Sequence, residues 1–307
     1  MEIRQNVELS GLTTFQIGGV ARHFVEVHDE SEVMDSINWA HEHGVPFAIL
    51  GGGSNTLVAD GGYDGLVIKI SCSSIIYDGE LVAIDAGRNL LQTIRDTAEH
   101  DLGGWEKLAG IPGSVGGAAR GNAGAFGSEI KDFVTSVRAF NTATGEFKEF
   151  DPADCEFAYR ASYFKRNSEW LITLVQVRLS RVKNAEATTS IEATIAEREK
   201  RHLQNVRAAG SFFMNPTAPA NIVALFEREK DVIAREGRVP AGWLIEKAGF
   251  KGAMFGGAQA SIQHPNYLIN ASGEATAAEV LELADTIKEA VREQFGVELH
   301  EEAAVLS

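Results

Sequence analysis

Apolar residues recur at helical spacing in three stretches of the chain. In SEVMDSINWAHEH, residues 31–43, Val33, Ile37 and Ala40 fall on one face with Met34 beside it, and Gly44 stands where a helix would end. In NLLQTIRDTAEHDLGG, residues 89–104, the buried side is Leu90, Leu91, Ile94 and Ala98, and the pattern predicts a stop at Gly103 and Gly104. Near the C-terminal end, Val280, Leu283, Ile287 and Val291 follow Thr276 and Glu279, whose spacing is that of a capping box. Between these lie short apolar runs. PFAIL, GLVIKI and ELVAIDAG predict strands, and the β-branched FVTSVRAFN, TGEFKEF and LITLVQVRLS predict an antiparallel group with a turn at Thr144-Gly145. Residues 184–208 are charged with sparse apolar positions, as in a surface helix or connector, and the main domain boundary is expected there. The order predicts an α/β unit, a strand-rich middle and a separate C-terminal α/β domain from about residue 200.

Composition narrows what such a chain can do. Its 307 residues, 44% hydrophobic and 23% charged, are enough for two or three folded domains. The 28 basic and 43 acidic residues leave a net charge of −15, which disfavours nucleic-acid and anionic-membrane partners. The first thirty residues show no signal-peptide pattern and no apolar run approaches membrane-spanning length, so a cytoplasmic protein is expected. Cys72 and Cys155 lack a Cx₂C partner and read as small core residues. The eight histidines contain no HExxH, and His41 and His43 stand two apart in a helix, so no metal site is expected.

The glycines carry the chemical signal. Gly51, Gly52, Gly53, Ser54 and Asn55 directly follow the PFAIL strand, and their unhindered N–H groups and side-chain donors suit either a phosphate or a plain strand-ending turn. There is no Walker pattern and no GxGxxG. AGIPGSVGGAARGNAGAFG, residues 109–127, places seven glycines among small residues and includes no acidic side chain. It suits either a close loop over a flat ligand with a pyrophosphate or a helix packed tightly through glycine. Two such loops about sixty residues apart point to a dinucleotide site outside the Rossmann class, with FAD as the candidate. Gly113, Ser114, Gly117 and Asn122 are then expected against the nucleotide, with Arg120 pointing away.

ILGGGSN, the 109–127 stretch, YRASYFK (159–165), GSFFMNP (210–216) and AGWLIEKAGFKG (241–252) occur in that order after TTFQIGG (13–19). Together they closely resemble the UDP-N-acetylenolpyruvoylglucosamine reductases of peptidoglycan synthesis, over nearly the whole chain. The resemblance implies an α+β fold: an FAD-binding domain of the vanillyl-alcohol-oxidase-like type in two subdomains, 1–70 and 71–198, followed by a substrate domain, 199–307. It implies the shorter of the family's two classes, without the tyrosine loop. It also implies the reaction, in which hydride passes from NADPH through FAD to the enolpyruvyl ether of UDP-N-acetylglucosamine enolpyruvate, giving UDP-N-acetylmuramate.

The residues implied to hold FAD are Gly51, Gly52, Gly53, Ser54, Asn55, Pro112, Gly113, Ser114, Gly117, Ala118, Asn122, Ala123 and Gly124. No His or Cys near either loop suggests a covalent flavin link, so the cofactor is expected to be non-covalent. Hydride addition to the enolpyruvyl β-carbon leaves an enediolate. Arg160 matches the family's arginine, whose guanidinium can bind both carboxylate oxygens, although without the resemblance a strand-end Arg reads as a surface ion-pair partner. Ser211 matches the proton donor to the α-carbon, or it caps the turn after Gly210. Asn215 matches a substrate-contacting asparagine, or it forms an Asn-Pro turn. Glu302 matches the catalytic glutamate and must be protonated or paired when it acts beside developing negative charge; Glu301 is the alternative register, and a solvated acidic tail the other reading. The chain departs from the family at Met214, where lysine is common, in HLQNVRAAG (202–210), and around the terminal glutamate, which lacks a preceding Pro and a following Val-Arg. The competing readings are another flavoprotein of the superfamily that oxidises an alcohol or hydroxy acid, and a nucleotide-binding paralogue without catalysis.

Overall fold

The computed structural model describes residues 1–200 and 206–307. These divide into two compact units, each built from separated pieces of chain. The first comprises Met1–Val7, Ala21–Gly52 and Asp64–Lys200.

In this unit a four-stranded sheet has the order β1 (Arg4–Glu8), β2 (Val20–Val27), β5 (Tyr63–Ile70), β3 (Phe47–Leu50). β3 runs parallel to β5, with Phe47 opposite Leu66. Helix α1 (Glu30–Glu42) is started by Asp29, whose side chain accepts from the Glu32 N–H, and it buries the expected face of Val33, Ile37 and Ala40. A second sheet is wholly antiparallel, in the order Phe147–Phe150, Val134–Asn141, Trp170–Arg178, β7 (Leu81–Asp85), β6 (Ile75–Asp78). The predicted turn at Thr144-Gly145 is built by Asn141, whose Oδ1 accepts from the N–H groups of Ala143 and Thr144 at 2.9 Å each.

Helix α2 (Leu90–Glu99) is capped by Asn89 and ends earlier than the glycines predict. Asp101 takes the left-handed conformation (φ +56°), and Leu102–Gly103 then continues as a short strand paired with Ser180–Arg181. The tertiary pairing claims residues that the glycines alone would leave as a helix stop. Two short helices follow, α3 (Val115–Arg120) and α4 (Tyr163–Arg166). The charged segment after 184 forms α5 (Asn184–Lys200), which buries Ala187 and Ile191; of the remainder of the predicted connector, 201–208, residues 201–205 lie outside the described residues. All these elements share one core, in which Cys72 and Cys155 are buried as small apolar residues.

The second unit comprises Glu8–Val20, Gly53–Tyr63 and the described residues of Arg201–Ser307. A three-stranded antiparallel sheet (Met254–Phe255, Ala258–Ala260, Leu268–Asn270) joins helices α6 (Ala220–Lys230), α7 (Ala241–Lys247) and α8 (Ala277–Phe295). Thr276 and Glu279 form the reciprocal capping box that the sequence predicts, and Gly296 closes α8 in the left-handed conformation (φ +63°). The N-terminal pieces belong to this unit in full. Phe15, Ile17 and Leu57 lie in its core, and β4 (Thr56–Val58) pairs in parallel with the terminal strand Ala304–Leu306. Asp60 accepts from the N–H groups of Ala277 (2.7 Å) and Ala278 (3.0 Å), adding a carboxylate to the positive end of α8.

Candidate functional site

The glycines of the first unit fall into two groups when asked what a β-carbon would meet. On Gly52 it would fall 2.7 Å from the Gly113 Cα, so the two glycine loops touch backbone to backbone. A β-carbon on Gly51 would lie 3.1 Å from the Ser114 Oγ. On Gly116 a β-carbon would sit 2.6 Å from the Ala86 Cβ, and on Gly124 2.8 Å from the Ser128 carbonyl oxygen. Close packing explains these four. Gly117 is different: it is exposed, and a β-carbon there would meet only the Ser114 Oγ at 3.4 Å, an ordinary contact. Packing of the polypeptide gives no reason for a bare backbone at this position.

Ser114 is the N-cap of α3, its Oγ accepting from the Gly117 N–H at 3.2 Å. Val115, Gly116, Ala118 and Ala119 face inward. Gly117 and Arg120, three residues apart, therefore share the one exposed face. Ala118 contributes its carbonyl to the Ala123 N–H at 2.8 Å. Pro112 is exposed and enters the turn at Gly113, whose φ of +112° suits glycine alone.

Asn122 is fully buried and its side chain is engaged within the protein. Its Nδ2 donates to Glu129 Oε2 (3.0 Å) and to the Ala158 carbonyl (2.9 Å), and its Oδ1 accepts from the Lys131 N–H (3.3 Å). It holds the loop in shape. The YRAS turn is fixed against this loop twice more: Ser162 Oγ donates to the Arg120 carbonyl at 2.6 Å, and Arg160 Nη2 donates to the Gly124 carbonyl at 3.0 Å. Arg160 is thereby brought to the second glycine loop.

In the second unit, Gly53 is buried with φ +65° and no space for a side chain beside the Leu12 carbonyl. The Gly53 carbonyl accepts from the Thr14 N–H at 3.1 Å, while half-buried Ser54 leads to the exposed Asn55. Asn55 Nδ2 donates to the Glu302 carbonyl (2.9 Å), and the Asn55 carbonyl accepts from the Ala304 N–H (2.9 Å). The GSFFMNP strip lies antiparallel to the tail: Phe213 bridges Glu301, Met214 N–H donates to the His300 carbonyl, and Glu302 N–H donates to the Phe212 carbonyl. Half-buried Ser211 and Glu302 are thus carried on paired strands. Asn215 Oδ1 accepts from the Ala241 N–H at 3.0 Å at the start of α7.

Of the two neighbouring carboxylates, that of Glu301 is ion-paired. Glu301 Oε1 accepts from Lys288 Nζ at 2.7 Å. Burial pushes its pKa up, but the hydrogen bond and charge of Lys288, with a backbone N–H, outweigh this and leave it below the usual glutamate value. Glu301 is therefore held ionised in a structural pair.

Sequence reasoning missed two residues that shape these segments. Buried Asn266 accepts from the Phe213 N–H (3.0 Å) and donates to the Phe213 carbonyl (2.8 Å), clamping the strip that carries Ser211. Lys165 Nζ donates to the Arg160 carbonyl at 3.0 Å. Neither leaves a periodic trace; only a short polar residue after a proline, or a lysine one helical turn after Ser162, could have pointed to them. Among the described residues no helix is long and apolar enough to cross a membrane.

Known proteins match along the whole chain. Residues 21–151 match the profile of an FAD binding domain, and residues 200–306 that of the UDP-N-acetylenolpyruvoylglucosamine reductase C-terminal domain. The UDP-N-acetylenolpyruvoylglucosamine reductase of Solibacter usitatus is 38% identical, over 98% of this chain and 96% of that protein. The enzyme of the same name from Pseudomonas fluorescens is 34% identical over 98% of both. Among solved structures, the Thermus caldophilus UDP-N-acetylenolpyruvylglucosamine reductase superposes with a TM-score of 0.78 at 29% identity, covering 100% of both chains.

Proposed function

This chain belongs to the UDP-N-acetylenolpyruvoylglucosamine reductase family, and we propose that it reduces UDP-N-acetylglucosamine enolpyruvate to UDP-N-acetylmuramate in the cytoplasm, using NADPH and FAD. The full-length match carries the activity. For the cofactor, the supporting observation is Gly117, exposed and bare for no reason of packing, beside loops that meet at Gly52 and Gly113. These residues fit FAD. Gly51, Gly52, Gly53, Ser54 and Asn55 on the first loop, with Pro112, Gly113, Ser114, Gly117, Ala118, Ala123 and Gly124 on the second, would hold it non-covalently, and Asn122 would keep the second loop in shape. When bound, FAD supplies the hydride path from NADPH to the enolpyruvyl carbon.

The chain's own residues then have the following roles. Arg160 binds the substrate carboxylate and stabilises the enediolate charge that develops on it. Ser211 delivers the proton to the α-carbon, and Asn215 contacts the substrate while supporting α7. Glu302 supports that protonation. Its position, matching that of the family's glutamate, selects it, while the Glu301 carboxylate pairs with Lys288. We further propose that the functional division follows residues 1–70, 71–198 and 199–307, the first two holding FAD and the third the UDP sugar.

The test follows the two half-reactions separately. Purified protein reconstituted with FAD should be bleached by NADPH without oxygen and regain its yellow colour on adding the UDP sugar. Ser211→Ala should leave the first step intact and collapse the second. Reconstituted protein that shows no UDP-sugar-dependent NADPH oxidation would overturn the assignment of activity, and equal slowing of both steps by Ser211→Ala would remove the role given to Ser211.

A further inference from the structure

Arg160 sits in a conformation that its side chain disfavours. Ala158 and Ala161 exchange backbone hydrogen bonds of 3.0 and 3.1 Å, closing a tight turn around Tyr159 and Arg160, and Arg160 occupies the turn with φ +52°. That left-handed region suits glycine, and a longer side chain stays there only when its surroundings hold it. Three neighbours do so. Asn122 Nδ2 holds the Ala158 carbonyl (2.9 Å), Gly124 accepts from the Arg160 guanidinium (3.0 Å), and Lys165 Nζ reaches back from α4 to the Arg160 carbonyl (3.0 Å). The Lys165 backbone is itself fixed, its N–H donating to Ser162 Oγ at 3.2 Å while Ser162 is bonded to the Arg120 carbonyl. A charged donor on the carbonyl of a left-handed residue opposes rotation of that peptide unit, because rotation would break a charge-assisted bond.

We infer that Lys165 is a positioning residue for Arg160: its ammonium fixes the Arg160 peptide and thereby the direction in which the guanidinium meets the substrate carboxylate. The inference rests on Arg160 being the carboxylate-binding residue. Small displacements of an oriented group are costly in rate, so Lys165→Met should slow reoxidation of the reduced flavin by saturating UDP sugar by about tenfold or more. Reduction by NADPH should be unchanged, and Lys165→Arg should recover most of the loss. A crystal structure of Lys165→Met should show Arg160 at negative φ with its bond to Gly124 broken.

Arg160→Met supplies the reference. If it reoxidises like the wild type, the reading of Arg160 fails. If Arg160→Met is slow but Lys165→Met is not, Lys165 does not position it and the inference is overturned. In the Arg160→Met background, Lys165→Met should have no further effect; additive losses would mean that Lys165 acts on its own and would also overturn the inference. Should Lys165→Met lose FAD, Lys165→Arg and Lys165→Gln decide the matter: reoxidation falling in the order Lys, Arg, Gln supports the inference, and equal rates overturn it.

Discussion

The side-chain amide of Asn55 donates to the main-chain carbonyl of Glu302 at 2.9 Å, so the end of the first glycine loop and the terminal acidic segment are directly joined. The bond lies at the surface, where a hydrogen bond contributes about 1 kcal/mol net. Asn55→Ala should lower unfolding stability by about this much. It should also slow the substrate half-reaction more than flavin reduction, because the freed backbone is that of Glu302. Urea denaturation and stopped-flow absorbance at the flavin band measure the two effects.

Gly116 and Gly117 are adjacent, and the same substitution should act on them in opposite directions. Alanine at 116 would place a β-carbon 2.6 Å from the Ala86 Cβ, an overpacking that typically costs about 1–3 kcal/mol. Alanine at 117 meets no such neighbour, and the helix should gain about 0.5–1 kcal/mol in the cofactor-free protein. Gly117→Ala should nevertheless weaken FAD retention, and a bulkier residue should abolish the yellow colour while the fold persists. Thermal unfolding of the cofactor-free protein and flavin content after gel filtration separate the outcomes.

Lys288 and Glu301 make stability depend on acidity. The hydrogen bond to Glu301 is the largest influence on Lys288 and raises its pKa, while that of Glu301 is lowered from 4.5 despite burial. A carboxyl with a depressed native pKa contributes stability that is full above 4.5 and lost as pH falls through the lower native value. Lys288→Met removes the partner, so the difference in melting temperature between wild type and variant should be largest near neutrality and shrink as the solution is acidified below 4.5. A constant difference across that range would mean the pair is not coupled to folding.

Neither cysteine should react in the native protein at pH 8. Burial pushes the Cys72 thiol up to about 11 and the Cys155 thiol up to about 12, with nearby aspartates adding to both shifts. A chromogenic disulfide reagent should titrate no thiol until denaturant is added, and then both.

Local chemistry made much of this fold legible. The Thr276–Glu279 capping box and the α1 stripe of Val33, Ile37 and Ala40 depend on residues within a few positions of each other, and both appear as expected. Glu8–Val20 and Gly53–Tyr63 were not legible as parts of the C-terminal unit. Their partners, such as Leu57 among the α8 core residues or Asp60 at Ala277, lie more than two hundred positions away, and no periodicity records such a contact. The candidate site shows the same division. The glycine loops stood out by composition, whereas the buried bonds of Asn122 to Glu129, Ala158 and Lys131 could not be read from a lone asparagine.

The parallel pairing of Ala304–Leu306 with Thr56–Val58 also bears on how the chain is made. A ribosome releases β4, Phe15 and Ile17 long before their partners exist, so these segments must wait through the synthesis of most of the polypeptide. Until the helices and strands of the C-terminal region have been made, Phe15, Ile17 and Leu57 have no core to join, and the nascent chain leaves these apolar side chains open to chaperones and proteases for most of its synthesis.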